Sequence, residues 1–222
     1  KYSMSVLKQI KRTVSNLLDL LLPHSPESVI ARALSEETLT GMMKPVAHAN
    51  EPWIIALFSY YDPKARALVK SIKYRSEEGP LPALGRVVAR EVMKVIAEKR
   101  ERNGWRDILI VPMPSSPSRL RWRGYNQSER IALSILPHLT EKIEYAPDVL
   151  GRADRKSQVK VSKERRHRNI HGAFFALRPE KIRGRCILII DDVVETGATL
   201  KEARYALLEV GAIDVAALVV AH

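Results

Sequence analysis

Ile187–Leu200 reads ILIIDDVVETGATL. Four aliphatic residues run into two adjacent carboxylates, Asp191 and Asp192, and the chain then turns through Thr196, Gly197 and Ala198 to Thr199. A continuous aliphatic run suits a strand buried on both faces of a parallel sheet. Paired charges directly after such a strand are costly unless something uses them. The turn leads into TLKEARYALLEVGA (199–212), a helical pattern stopped by Gly211. A helix start leaves amide N–H groups unpaired and carries partial positive charge, so it attracts anions. Gly197 allows close backbone approach, and the Thr196 and Thr199 hydroxyls add donors. These features suit a monophosphate, whereas the two aspartates would repel one. Carboxylates accept hydrogen bonds from vicinal sugar hydroxyls, so a ribose 5-phosphate satisfies both halves of the stretch.

Around this stretch, strands and helices alternate. DILIVPMP (107–114) is expected to be a buried strand stopped by prolines, NQSERIALSILPHL (126–139) a helix, CILIID (186–191) a second buried strand and DVAALVVAH (214–222) the last. WIIALFSYYD (53–62) is β-branched and aromatic, and Asp62 and Pro63 then open a helix as N-cap and first residue. Residues 82–101 form another amphipathic helix ended by Asn103 and Gly104. The expected fold is α/β, a central parallel sheet covered by helices. In such sheets ligands lie beyond the carboxyl ends of strands, so Asp191 and Pro112–Pro114 are expected to face one another across a site. GRADRKSQVKVSKERRHRN (151–169) has hardly any apolar periodicity and reads as a long solvated loop, a kind that is often functional.

The chain has 222 residues, 45% hydrophobic and 28% charged, enough for one catalytic α/β domain with an appendage. The expected division is an N-terminal segment, 1–52, and a catalytic domain, 53–222. Residues 1–22 place Val6, Ile10, Val14, Leu17, Leu18 and Leu21 on one helical face, while Asn16 and Asp19 interrupt the apolar part. That pattern is an amphipathic helix rather than a signal peptide. It docks on its own domain or, alternatively, lies on a membrane surface with Lys8, Lys11 and Arg12 on headgroups. The segment up to Trp53 is rich in Pro, Ser and Thr, with a short helix expected around Ser28–Leu34. Cys186 is the single cysteine, which excludes an internal disulfide and a thiolate zinc site and suits a reducing cytoplasm. Thirty-seven Lys and Arg against 25 Asp and Glu give a charge of +12, which attracts polyanions, whether nucleic acid or phosphorylated substrates.

Residues 187–199 resemble, at every position, the phosphoribosyl pyrophosphate signature of type I phosphoribosyltransferases: four hydrophobics, two acids, two hydrophobics, one variable residue, then Thr-Gly-x-Thr. The segment VPMPSSPSRLRWRGYNQSERIA (111–132) is similar to the competence protein F family (ComF, or GntX-like), with its Pro-x-Pro and Arg-Gly-aromatic-Asn-Gln. LFSYYDPKARALVKSIKY, with Lys70 and Lys73, resembles the same family, so the likeness spans roughly residues 53–222. It implies the type I phosphoribosyltransferase fold with a small hood and an N-terminal helical extension. It also implies a pyrophosphate loop near Ser115, Ser116, Arg119, Arg123 and Gly124, where an Arg fork suits phosphate oxygens. Lys73 joins the substrate-binding set. Gln158, Arg166 and Asn169 match the family's flexible segment, a lid that would close over substrate. Mg²⁺ would come in on the substrate's pyrophosphate rather than on protein side chains.

The chain departs from the family twice. LLDLLLPHSPES keeps the lead-in to a zinc ribbon, but Ser25 and Ser28 stand where the first Cys pair is expected, and His24 and His48 alone do not make a structural zinc site. No zinc is expected. Glu195 replaces a small residue and matches the acid of hypoxanthine-guanine phosphoribosyltransferases, where it assists proton transfer. It is either a proton-transfer residue or an ordinary solvated loop glutamate. Two functions follow from the resemblance. One is an enzyme that transfers phosphoribose to an amine or ring nitrogen and releases pyrophosphate, with Asp191, Asp192 and Glu195 as its catalytic candidates. The other is a non-catalytic competence protein that binds single-stranded DNA and keeps the ligand site as a sensor. Trp105, Trp122 and Tyr125, near arginines, are its candidates for stacking bases.

Overall fold

A computed structural model describes residues 26–74, 79–141, 143–154 and 172–222. The amphipathic helix expected over 1–22, together with His24, Ser25, Gln158, Arg166, Asn169 and His171, lies outside the described residues. In chain order the described elements begin with helices α1 (Pro26–Arg32) and α2 (Glu36–Met42), strands β1 (Val46–His48) and β2 (Glu51–Phe58), and helices α3 (Pro63–Tyr74) and α4 (Leu81–Asn103). The chain continues with β3 (Ile108–Pro112), α5 (Pro117–Arg123), α6 (Gln127–Ile135), β4 (Glu144–Tyr145), β5 (Leu150–Arg152) and β6 (Phe174–Ala176). It ends with α7 (Pro179–Ile182), β7 (Cys186–Val193), α8 (Ala198–Glu209) and β8 (Asp214–Ala221).

The sheet runs β1-β2-β8-β7-β3-β4, parallel throughout except for the antiparallel β1–β2 pair. Strands β7 and β8 are unbroken aliphatic runs because each contributes to both faces. Leu188, Ile190, Ala216 and Leu218 pack with α3, α4 and α6 on one side. Ile187, Ile189, Val215 and Ala217 pack on the other side with Leu200, Ala203 and Leu207 of α8 and with Leu150 and Phe174 of the β5–β6 ribbon. Leu34 and Leu39, from the N-terminal helical region, join the first of these cores.

Local signals account for the helix boundaries. Asp62 Oδ1 accepts the Lys64 and Ala65 N–H groups at 2.7 and 3.3 Å, and Gly104, at φ 65°, ends α4 in the left-handed conformation. The helix expected over 126–139 is shorter: α6 ends at Ile135 and the chain tightens into a 3₁₀ turn, Leu136–His138. Pro137 has no N–H for the next helical bond. Gly151 and Arg152, the first residues of the loop expected over 151–169, are instead strand, paired with Phe175 and Phe174; residues 155–169 of that expectation lie outside the described residues.

The order places β3 at a switch point. From β3 the chain passes through α5 and α6 to β4 on one side, while β7 pairs with β3 on the other. The connections leaving the carboxyl ends of β3 and β7 diverge there and open a crevice, the usual ligand position in an open α/β sheet.

Candidate functional site

Part of the set singled out in the sequence lies at this switch point: Asp191 and Asp192 at the end of β7, Ser115 and Ser116 after β3, and the turn into α8. Met113 N–H donates to Ile190 O at 2.9 Å, which ties the end of β3 to the end of β7 just before the aspartates. Asp191 and Asp192 are both buried, 8% and 5% exposed. Asp191 Oδ1 accepts the Ser128 hydroxyl at 2.7 Å and the Asp192 N–H at 2.9 Å. Asp192 Oδ1 accepts the Val193 N–H at 2.7 Å. Its second oxygen, Oδ2, is buried with no hydrogen bond among the described residues, and its charge partner is Lys73 Nζ at 3.4 Å. Two buried carboxylates thus share one ammonium. Burial first, and the Asp192 charge second, push Asp191 up to about 7, while the Ser128 hydroxyl, the Asp192 N–H and Lys73 pull it the other way.

Beyond β7 the chain turns through Glu195–Gly197 into α8. Gly197 is required there: its φ is +73°, and a Cβ would sit 3.3 Å from Glu51 Cγ and from Ile54 Cδ1. Thr196 and Thr199 are exposed, and Thr196 Oγ1 accepts the Ala198 N–H at 3.4 Å. The Glu195 side chain is exposed and makes no hydrogen bond among the described residues, whereas its carbonyl lies 3.2 Å from His48 Nε2. The turn therefore has an open polar rim over a helix N-terminus, the arrangement expected from the sequence.

Across the crevice, Ser116 caps α5 and Gly124 ends it at φ 81°. Ser115 Oγ lies 3.2 Å from Asn126 Oδ1 and from Gln127 Oε1, and Arg123 Nη1 donates to Gln127 Oε1 at 3.0 Å. Asn126 both caps α6 and donates to Met113 O at 3.1 Å, so the loop after β3 and the start of α6 form one hydrogen-bonded unit. Arg119 is exposed and has no ion pair among the described residues. Lys70, on the same helix as Lys73, pairs with Glu27 at 3.0 Å and belongs to the α1–α3 contact rather than to the site.

Four residues at this site carried no motif in the sequence. Ser128 reaches Asp191 from 63 positions away. Asp154 ties the base of the charged segment to α5 by accepting Ser118 N–H and Oγ–H, at 3.1 and 2.8 Å. His48 and Glu51 come from the β1–β2 pair and lie against the 195–197 turn. A correction concerns the stacking candidates. Trp105 is 1% exposed and its Nε1–H donates to Asp214 Oδ2 at 2.8 Å, so it belongs to the core. Trp122 and Tyr74 are 72% and 60% exposed, packed edge to face at 6.4 Å, and the Arg123 guanidinium lies 5.8 and 5.1 Å from their rings. Ser28, at the expected position of a family cysteine, is buried in α1. Among the described residues no group of three or more His, Cys, Asp or Glu side chains is placed to hold a metal ion, and no helix is long and apolar enough to cross a membrane.

The phosphoribosyl transferase domain model matches residues 128–222. The DNA utilization protein YhgH of Salmonella typhi is 31% identical over 172 residues, covering 74% of this chain and 70% of its own. The protein of that name from Escherichia coli K12 is 29% identical over 162 residues, covering 72% and 69%. Among solved structures, the allosteric regulatory enzyme of purine biosynthesis is 16% identical with a TM-score of 0.43. The match covers 68% of this chain and 30% of that one. Glutamine phosphoribosylpyrophosphate amidotransferase from B. subtilis is 14% identical with a TM-score of 0.40 and the same coverage.

Proposed function

The chain belongs to the ComF-like family of type I phosphoribosyltransferases, and from that premise we propose that it binds Mg-phosphoribosyl pyrophosphate and transfers its phosphoribose to a nitrogen acceptor. One observation carries the reading: a buried carboxylate pair at the end of β7, with Asp192 Oδ2 lacking a hydrogen bond among the described residues, directly precedes a helix-start anion turn. The ribose 2- and 3-hydroxyls donate to Asp191 and Asp192. The 5-phosphate sits on Thr196–Thr199, where the amide N–H groups at the start of α8 face it. The pyrophosphate lies against Ser115, Ser116, Arg119, Arg123 and Gly124.

In the transfer, the C1–oxygen bond breaks and its electron pair leaves with pyrophosphate. The acceptor nitrogen forms the new C1–N bond and loses a proton, for which Glu195, exposed on the rim, is the receiving side chain. Arg119 and Arg123 stabilise the charge that builds on the leaving group, the electrostatic contribution that usually dominates such reactions. Mg²⁺ is a hard cation suited to pyrophosphate oxygens and would come in on the substrate, where it would offset the leaving-group charge. Lys73 is the charge partner of Asp192, and Ser128 fixes the Asp191 carboxyl for the sugar.

A second reading has its own support. Trp122 and Tyr74 expose their rings around Arg123 on the basic helix α5, a surface suited to stacked bases of single-stranded DNA. The relatives' name, DNA utilization protein, points the same way. Oligonucleotide affinity that falls steeply with salt and drops in Trp122→Ala would support it, and a flat salt response would remove it.

The test of the main reading is a calorimetric titration of phosphoribosyl pyrophosphate, with and without Mg²⁺, on wild type and Asp192→Asn. Loss of a charge-assisted hydrogen bond predicts roughly ten- to a hundredfold weaker binding in the variant. Equal affinity would show that the sugar does not sit on Asp192.

A further inference from the structure

We propose that His48, at the end of β1 and outside the matched domain, is a positioning residue that sets the orientation of the phosphate turn; this rests on the reading of residues 196–199 as a phosphate site. The inference begins with the Glu195 carbonyl. A carbonyl oxygen only accepts, so the contact at 3.2 Å makes His48 Nε2–H the donor. The other ring nitrogen, Nδ1, is then a bare acceptor, and it is buried with no hydrogen-bond partner among the described residues. A ring held at the cost of one unsatisfied buried nitrogen calls for an explanation. The contact that it does make supplies one.

A peptide unit is planar and trans, so its C=O and the following N–H point in opposite directions. Holding the Glu195 carbonyl on His48 therefore turns the Thr196 N–H to the other side of the turn, away from β1. Reversal of that peptide would present a carbonyl oxygen there in place of a donor, and an anion would be repelled. The hydrogen bonds that fix the neighbouring backbone lie to either side: Val194 N–H on Ala221 O at 3.0 Å and Lys201 N–H on Gly197 O at 2.9 Å. Neither restrains the 195–196 peptide, whereas His48 does.

The surroundings are built to hold the ring in place. The β1–β2 ladder shifts register between Ala47 and His48, the kind of irregularity that re-aims a side chain beside a site. Glu51, paired with His48 across the strands, is fixed by Trp53 Nε1–H at 2.7 Å and Lys201 Nζ at 2.8 Å. Its Cγ, Ile54 Cδ1 and His48 Cε1 occupy the space into which a Gly197 Cβ would project, at 3.3, 3.3 and 3.6 Å. The β1–β2 pair is thus a floor under the turn, and His48 is the residue of that floor that bonds to its backbone.

The test compares wild type with His48→Phe, which keeps a ring against Gly197 without the donor, and His48→Gln, which restores an N–H. The ligands are ribose 5-phosphate and inorganic pyrophosphate, measured by calorimetry beside a thermal melt. Loss of one oriented donor predicts about tenfold weaker ribose 5-phosphate binding in His48→Phe, with pyrophosphate affinity unchanged and most of the loss recovered in His48→Gln. Wild-type binding that His48→Phe retains in full, or equal loss for both ligands, overturns the role of His48 alone. Should His48→Phe fail to fold, His48→Gln and His48→Asn decide by the same comparison of ligands. A wild type that binds no ribose 5-phosphate overturns the phosphate-site reading and this inference with it.

Discussion

Replacing Asp191 by Asn should stabilise the free protein while removing ligand binding. In the native state the Asp191 carboxyl is pushed from its ordinary value of 3.8 up to about 7 by burial and by the Asp192 charge. Between those values the folded protein holds a proton that the unfolded chain has already released. Stability therefore falls as pH rises from about 4 to about 7 and then levels off; below about pH 4 both states are protonated and the full stability is present. At about 1.4 kcal/mol per pH unit, the interval from 3.8 to about 7 corresponds to about 4 kcal/mol. Asn cannot ionise, and its Oδ1 can still accept from Ser128 Oγ and Asp192 N, so the hydrogen bonds of the site survive. Urea unfolding followed by circular dichroism should find Asp191→Asn close to wild type at pH 4 and more stable by up to about 4 kcal/mol at pH 8. Ribose 5-phosphate affinity should fall in the same variant, the usual opposition between stability and a strained site. A variant no more stable than wild type at pH 8, or an advantage independent of pH, would refute this account of the carboxylate pair.

Lys73→Met removes the positive charge beside Asp192 and should cost about 2–3 kcal/mol at pH 8, less at pH 5 where the pair holds a proton; unfolding at both pH values measures the difference. Gly197→Ala forces a side chain into the left-handed region and against Glu51 and Ile54, so about 1–2 kcal/mol of stability and most phosphate affinity should be lost, read by thermal melting and phosphate titration. Gly85 lets α4 approach α6: a Cβ there would run into the Ser134 backbone carbonyl. Gly85→Ala should therefore destabilise by at least about 2 kcal/mol, whereas Gly41→Ala, with nothing within 4 Å, should be neutral or slightly stabilising in the same urea assay.

The sheet was legible because its central strands are buried on both faces and so appear as unbroken runs. ILIIDD and DVAALVV could hardly be anything else, and both are strands at the expected places. The turn into α8 was legible because its signals are local: a glycine that must adopt positive φ, flanking threonines and a helix pattern directly after. What escaped sequence reading is what depends on contacts between distant segments. Ser128 is an unremarkable serine in a helix until α6 carries it to Asp191. His48 belongs to a three-residue strand too short to show alternation, and its use is visible only once β1 lies beside the 195–197 turn. Trp105 misled for the opposite reason: neighbouring arginines suggested a surface, but its indole is buried and bonded to Asp214. Helix α6 ends early because Pro137 has no N–H for the next helical bond, although the apolar periodicity runs on past it.

The central claim is that one ligand bridges carboxylates and phosphate turn, and it is tested most directly by calorimetric titration of ribose 5-phosphate against 2-deoxyribose 5-phosphate and inorganic phosphate. On the wild type, ribose 5-phosphate should bind best and its 2-deoxy analogue about tenfold more weakly, since one hydroxyl no longer reaches the aspartates. On Asp192→Asn that preference should shrink or vanish while phosphate binding persists. A wild type that binds both sugars equally, or neither better than phosphate, would contradict the assignment of Asp191 and Asp192 to the ribose.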